Sequence, residues 1–247
     1  MDSSVIAVGP VLAVVLVLLV AAAAALVALG QLGLTRGILV AAGRAVLQLG
    51  LVSLVIVAVV RSGPLVAGFV TVMYAVAVGT AARRITRHRS GVWVALPIAL
   101  SVAPVLALVL VTGLVPLTGI AVVPIAGILI GNAMTASALA GKRCLEELRV
   151  RRGEYEAALA LGFTDRDAAA ELCRPAGALA LVPPIDQTRT VGLVTLPGAF
   201  VGVLLGGGSP VQAGATQLLI LIGLLAVEAA AVLAVVELTA RRLLREA

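Results

Sequence analysis

The sequence predicts an all-α polytopic membrane protein with about seven transmembrane helices. Two observations carry this. Hydrophobic residues make up 62% of the chain and its mean hydropathy is +1.19, far above the roughly 45–50% apolar share of soluble domains. Several apolar runs also exceed about 18 residues, the length that spans a bilayer as a helix. Apolar runs recur from one end of the chain to the other, so residues 1–247 are read as a single transmembrane domain. Lipid is then the solvent, and each span satisfies its own backbone hydrogen bonds as a helix.

The spans are expected at about 5–29, 38–60, 65–82, 91–113, 119–140, 188–205 and 213–239. The Met1-Asp2-Ser3-Ser4 start carries no basic residue, unlike a secretory signal, so the first run is expected to stay as a span. Arg61 and the Ser62-Gly63-Pro64 turn close the second span. Arg83, Arg84, Arg87 and Arg89 close the third. Pro97 and Pro104 lie within the fourth; membrane helices tolerate proline where neighbours satisfy the freed carbonyls. The fifth contains Gly127 and Gly131, a spacing that permits close helix approach. Gly206-Gly207-Gly208-Ser209-Pro210 turns the chain into the last span, and Arg241, Arg242 and Arg245 follow it.

Charge orients this arrangement. With the N-terminus outside, fifteen of the eighteen Lys and Arg residues fall on the cytoplasmic side, as the positive-inside rule requires. The C-terminus is then cytoplasmic, in a plasma or inner cell membrane. The net charge of +6 reports topology and gives no reason to expect nucleic acid. Cys144 and Cys173 stand alone and make neither a disulfide framework nor a metal pattern. His88 sits among arginines and is expected to be a loop residue.

One stretch breaks the apolar pattern. Between Lys142 and Pro175 lie seven basic and seven acidic residues, and the cytoplasmic segment is drawn at about 142–178. Within it, Glu156-Ala157-Ala158, Gly162, Leu172 and Pro175 resemble the EAA motif of ABC-transporter permeases. That motif marks a short coupling helix that docks on an ATPase subunit. Small alanines let such a helix seat closely, and glycine permits the sharp turn after it. The docking surface is expected at about 154–165.

Three further stretches extend the likeness along the chain. They are Gly43-Arg44-Ala45-Val46-Leu47-Gln48-Leu49, then Pro124-Ile125-Ala126-Gly127 with Gly131-Asn132-Ala133-Met134, then Thr190 to Gly198 through Leu196-Pro197. Together they resemble the FetB-type (iron export) ABC transporter permease family, from about 40 to 240 and in family order. The resemblance implies a permease that exports a metal ion such as iron, or another small solute. It also implies a partner ATPase subunit that binds the ATP and Mg, and a permease homodimer in the lipid bilayer. The chain departs from the family after Leu196-Pro197-Gly198, where Ala199-Phe200 replace two methionines. No metal ligands are therefore assigned.

The chain supplies no ATPase of its own. The nearest approach to a phosphate loop, Ala136 to Arg143, lacks the first glycine and the Ser or Thr after lysine. Hydrolase and protease motifs are missing too, so the chain is not read as an enzyme and no cofactor is assigned to it. Polar residues within spans are functional candidates by default. Arg44 and Gln48 share one helical face, Asn132 is mid-span, and Asp186 and Arg189 sit three apart at the entry to the sixth span. These five are expected to line or gate the pathway. Glu228, mid-span in the seventh helix, is a buried carboxylate needing a proton, a partner or water. It supports the alternative of an ATP-independent secondary transporter or channel.

Overall fold

The computed structural model describes residues 9–246; the expected start of the first span, including Met1-Asp2-Ser3-Ser4, lies outside them. Among the described residues there are ten α-helices and two short 3-10 helices. Six helical runs are long and apolar enough to cross a membrane. They fall in two compact units, divided at Val59–Val60.

The first unit is the hairpin of α1 (Pro10–Leu29) and α2 (Thr35–Val59). Proline in the first turn starts α1 with its φ already set. Both helices are apolar around nearly their whole circumference and keep most side chains exposed, the pattern of helices solvated by lipid.

The second unit is built around α5 (Gly119–Val150), a helix of 32 residues. At about 1.5 Å per residue it is about 48 Å long and outreaches a hydrocarbon core of about 30 Å. It therefore carries 142–150, expected as part of a separate polar segment, as its own last turns. Packed around it are α3 (Gly63–Ile85), α4 (Ala95–Val111) and α10 (Pro210–Ala240). Their shared core includes Ala81, Ile98, Ala126, Ala133, Val227 and Val235. Small residues let backbones approach where lipid removes the hydrophobic drive. Gly119 packs directly on backbone: a Cβ there would stand 2.7 Å from the Cα and O of Val60. Gly127 meets Met73 of α3, whereas Gly131 has open space. The G-x-x-x-G spacing is thus used within the chain, and by one glycine.

Helix ends follow local chemistry. Ser209 and Gln212 form a reciprocal capping box that starts α10. Arg83 and Arg84 end α3, where cations suit the helix dipole. His88 Nδ1 accepts from the backbone N–H of Ser90 at 3.1 Å and caps the 3-10 turn Arg89–Val94. The backbone N–H of Arg245 donates to Ser90 Oγ at 3.1 Å, which ties the chain's last segment to that turn.

The segment 188–205 differs from expectation. It is not a continuous span. Helix α8 (Val182–Thr190) ends in a tight turn, where the Gly192 N–H donates to Thr195 O at 2.9 Å. Helix α9 (Gly198–Leu205) has eight residues and folds back on α10. The return path begins earlier, at α7 (Asp165–Ala178), and runs through a 3-10 turn (Leu179–Leu181) into α8. It follows α10 in the opposite direction. Arg166 meets Glu237, Gly177 meets Val232 and Val236, and Pro183 and Gln187 share a cavity wall with Glu228. Pro183 and Pro184 start α8 rather than break a helix. The reason is the two-sidedness of α7. Ala168, Ala169, Ala170, Leu172, Cys173, Ala176 and Gly177 form a buried face, and Glu171 and Arg174 are exposed opposite.

Candidate functional site

The second unit carries two sites, one at its arginine-rich end and one in its interior. At the charged end, α6 (Arg152–Ala160) is joined to α7 by four residues. Gly162 sits at φ +93. Its N–H donates to Leu159 O at 2.9 Å, and the Phe163 N–H donates to Ala158 O at 3.1 Å. This paired closure ends a helix on a left-handed glycine. Thr164 Oγ1 then accepts from the Asp167 N–H at 3.1 Å and starts α7.

A helix of nine residues is marginal alone, so α6 depends on its anchor. That anchor is Tyr155, 8% exposed, packed against Ala168 and Leu172. Its hydroxyl donates to Asp165 Oδ1. The Arg242 guanidinium lies over its ring, 4.7 Å from the centroid. Arg166 makes a two-pronged pair with Glu237, both contacts at 2.8 Å, and this contact raises the Arg166 pKa further. Arg151 bonds Glu154 and holds its carboxyl below the usual range. Both pairs are open to solvent and screened by it, so the buried Tyr155 ring rather than these charges anchors α6.

The other side of α6 faces outward. Gly153, Glu156, Ala157 and Ala160 are exposed at helical spacing, flanked by Leu161 (81% exposed) and Phe163 (49%). The result is a shallow face of small residues with an apolar rim. The expected set is therefore divided. Glu156 and Ala157 lie on the open face, Ala158 packs inward against the Tyr155 cluster, and Gly162 makes the turn. Glu156 accepts from Arg152 Nε at 2.8 Å.

The interior site lies between α5, α8 and α10. A cleft of about 790 Å³ is lined by Asn132, Gln187, Pro197, Gly198, Thr216 and Gln217, among others. A smaller cavity of about 110 Å³ is bordered by Asn132, Thr135, Gln187 and Glu228. Asn132 and Gln187 line both. Gln217 is 6% exposed and Glu228 5%, and Gln217 Oε1 and Glu228 Oε2 have no hydrogen-bond partner. Of the five expected pathway residues, Asn132 borders both cavities. Asp186 and Arg189 do pair, at 3.5 Å, but on the exposed side of α8. Arg44 and Gln48 lie exposed on α2, in the first unit. Gln187 and Gln217 were not expected. The available signal was the spacing of Gln217 and Glu228, eleven residues or about three turns apart, on one face of α10.

These features define a polytopic helical membrane protein with a largely apolar interior cleft that carries a few polar side chains, and a short exposed helix at its charged end. The family comparison is specific: the chain matches the uncharacterised protein family UPF0014 over residues 11–244 and belongs to it. It is 40% identical over 116 residues to the UPF0014 membrane protein STAR2 of Oryza sativa subsp. japonica, covering 47% of this chain and 41% of the relative. It is 35% identical over 150 residues to the protein ALUMINUM SENSITIVE 3 of Arabidopsis thaliana, covering 60% and 55%. It is 33% identical over 137 residues to the probable iron export permease protein FetB of Escherichia coli (strain K12), covering 56% and 53%. The chain thus spans about half the length of the curated relatives it matches. No solved structure matches it.

Proposed function

We propose that the chain is the permease subunit of an ABC transporter, driven by a separate ATPase subunit that holds the ATP and Mg. The observation that carries this is the outward face of α6. It is small, rigidly closed at Gly162, and clamped through Tyr155 and Arg166 onto α7 and α10. A partner pressing there acts on α10, which walls the interior cleft, and on α7, which leads into α8 on the cleft's other side. The name of the Escherichia coli relative, a probable iron export permease, supports metal export, with iron or another small solute as cargo. Two copies pair around the path. Asn132 lies on it, and Arg44, Gln48, Asp186 and Arg189 gate it. The arginine-rich end faces the cytoplasm, with the C-terminus inside and the N-terminus outside a plasma or inner membrane.

The test is co-purification from native membranes. A protein with a complete phosphate loop is expected to accompany the wild type and to be lost with Gly162→Val or Glu156→Arg. Recovery of that protein at wild-type levels with both variants would sink the coupling assignment. One observation favours a second reading, an ATP-independent transporter or channel: the buried, unpartnered carboxylate of Glu228. Sustained transport by the purified chain in liposomes without any ATPase would select it.

A further inference from the structure

The small cavity at Glu228 has the makings of a binding site. Its carboxylate is almost fully buried and Oε2 has no partner. A bare carboxylate in a low-dielectric interior is costly unless something compensates it. The other bordering polar groups also offer oxygen. Asn132 Nδ2 donates to Ile128 O at 2.9 Å, which leaves Oδ1 as the free acceptor. Thr135 Oγ1 donates to Gly131 O at 3.0 Å, which leaves its lone pairs free. Gln187 supplies an amide from α8. No basic, Cys or Met side chain borders this cavity. Among the described residues no three His, Cys, Asp or Glu side chains cluster, so this donor set is one carboxylate with neutral oxygens.

We infer that this cavity binds a divalent metal cation that keeps part of its water shell, with Glu228, Asn132 and Gln187 as ligands. Oxygen donors of this kind suit hard cations. Small divalent ions are commonly held by one or two carboxylates while retaining several waters. The volume agrees. About 110 Å³ holds about three or four waters at about 30 Å³ each. Three waters and three protein oxygens complete a six-coordinate shell. Thr135 is placed to accept from a bound water. The ion enters from the larger cleft, because Asn132 and Gln187 form the wall common to both. The use of this site in transport rests on the permease reading; the binding does not.

The experiment is a Mn²⁺ titration, read as loss of the free-ion EPR signal. It uses the full chain in nanodiscs of uncharged phosphatidylcholine. Wild type is expected to take up one saturable Mn²⁺ per chain. Glu228→Gln should weaken binding at least tenfold, Gln187→Leu and Asn132→Leu severalfold, and Glu171→Gln, on the exposed side of α7, not at all. No saturable uptake by wild type overturns the site. So does wild-type affinity in a folded Glu228→Gln. If that variant does not fold, unchanged affinity in both leucine variants overturns it. The two readings fail separately. Lost Mn²⁺ binding with intact ATPase co-purification rejects this site alone. Intact binding with no ATPase partner rejects the coupling assignment and leaves the site standing.

Discussion

Replacing Tyr155 with alanine should release α6 while the rest of the bundle stays folded. Burying the ring contributes roughly 2–3 kcal/mol. The Arg242 guanidinium above it adds about 0.5–1 kcal/mol, and the hydroxyl bond to Asp165 about 1 kcal/mol. The total, about 4 kcal/mol, lies in the range seen for aromatic-to-alanine changes in cores. The loss falls on a helix too short to persist alone. Local opening should therefore rise more than a hundredfold, at tenfold per 1.4 kcal/mol. Tryptic cleavage after Arg151 and Arg152 reports it, since cleavage follows the open population when reclosing is fast. Tyr155→Phe, which keeps the ring and loses the hydroxyl, should raise cleavage less than tenfold. Digestion of Tyr155→Ala at the wild-type rate would refute the anchoring role.

Three further outcomes follow from the packing. Gly162→Val places a β-branched residue at φ +93, at a cost of about 1–2 kcal/mol; the same digestion should quicken about tenfold, whereas Gly162→Asn, which tolerates that region, should stay close to wild type. Gly119→Ala drives a methyl into the Val60 backbone at 2.7 Å and should cost about 1–3 kcal/mol, seen as a lower melting temperature in detergent; Gly131→Ala, in open space, should leave it unchanged or raised. Cys144 and Cys173 are buried free thiols and should resist a maleimide in the folded protein, then label fully after denaturation.

The long apolar helices were legible because length and hydropathy alone identify them. The turn at Gly162 was legible because few residues but glycine accept that backbone. The return path was not. Hydropathy averages around a helix, and α7 hides an alanine face behind Glu171 and Arg174. Its burial emerges only when α10 is laid beside it, so the apolar residues after Thr190 drew the expected span downstream. The interior cleft was half legible. Asn132 and Glu228 stand out as polar residues in apolar helices, but Gln187 lies in a proline-rich stretch whose helix starts at Val182. Asp186 and Arg189 looked equally suited to the interior; the pitch of α8 sets them away from the cavities and leaves Gln187 on their rim.

The contacts at the charged end also set a mechanical ratio. Helix α10 is held near Glu237 by Arg166, and Glu228 and Gln217 lie about 14 and 30 Å further along at 1.5 Å per residue. A tilt of about 5° pivoting at Glu237 would displace Glu228 by about 1.2 Å and Gln217 by about 2.6 Å on that rise. Motion of one rigid rod would therefore move the cleft wall at Gln217 about twice as far as it moves the carboxylate, so the two cavities need not change size together.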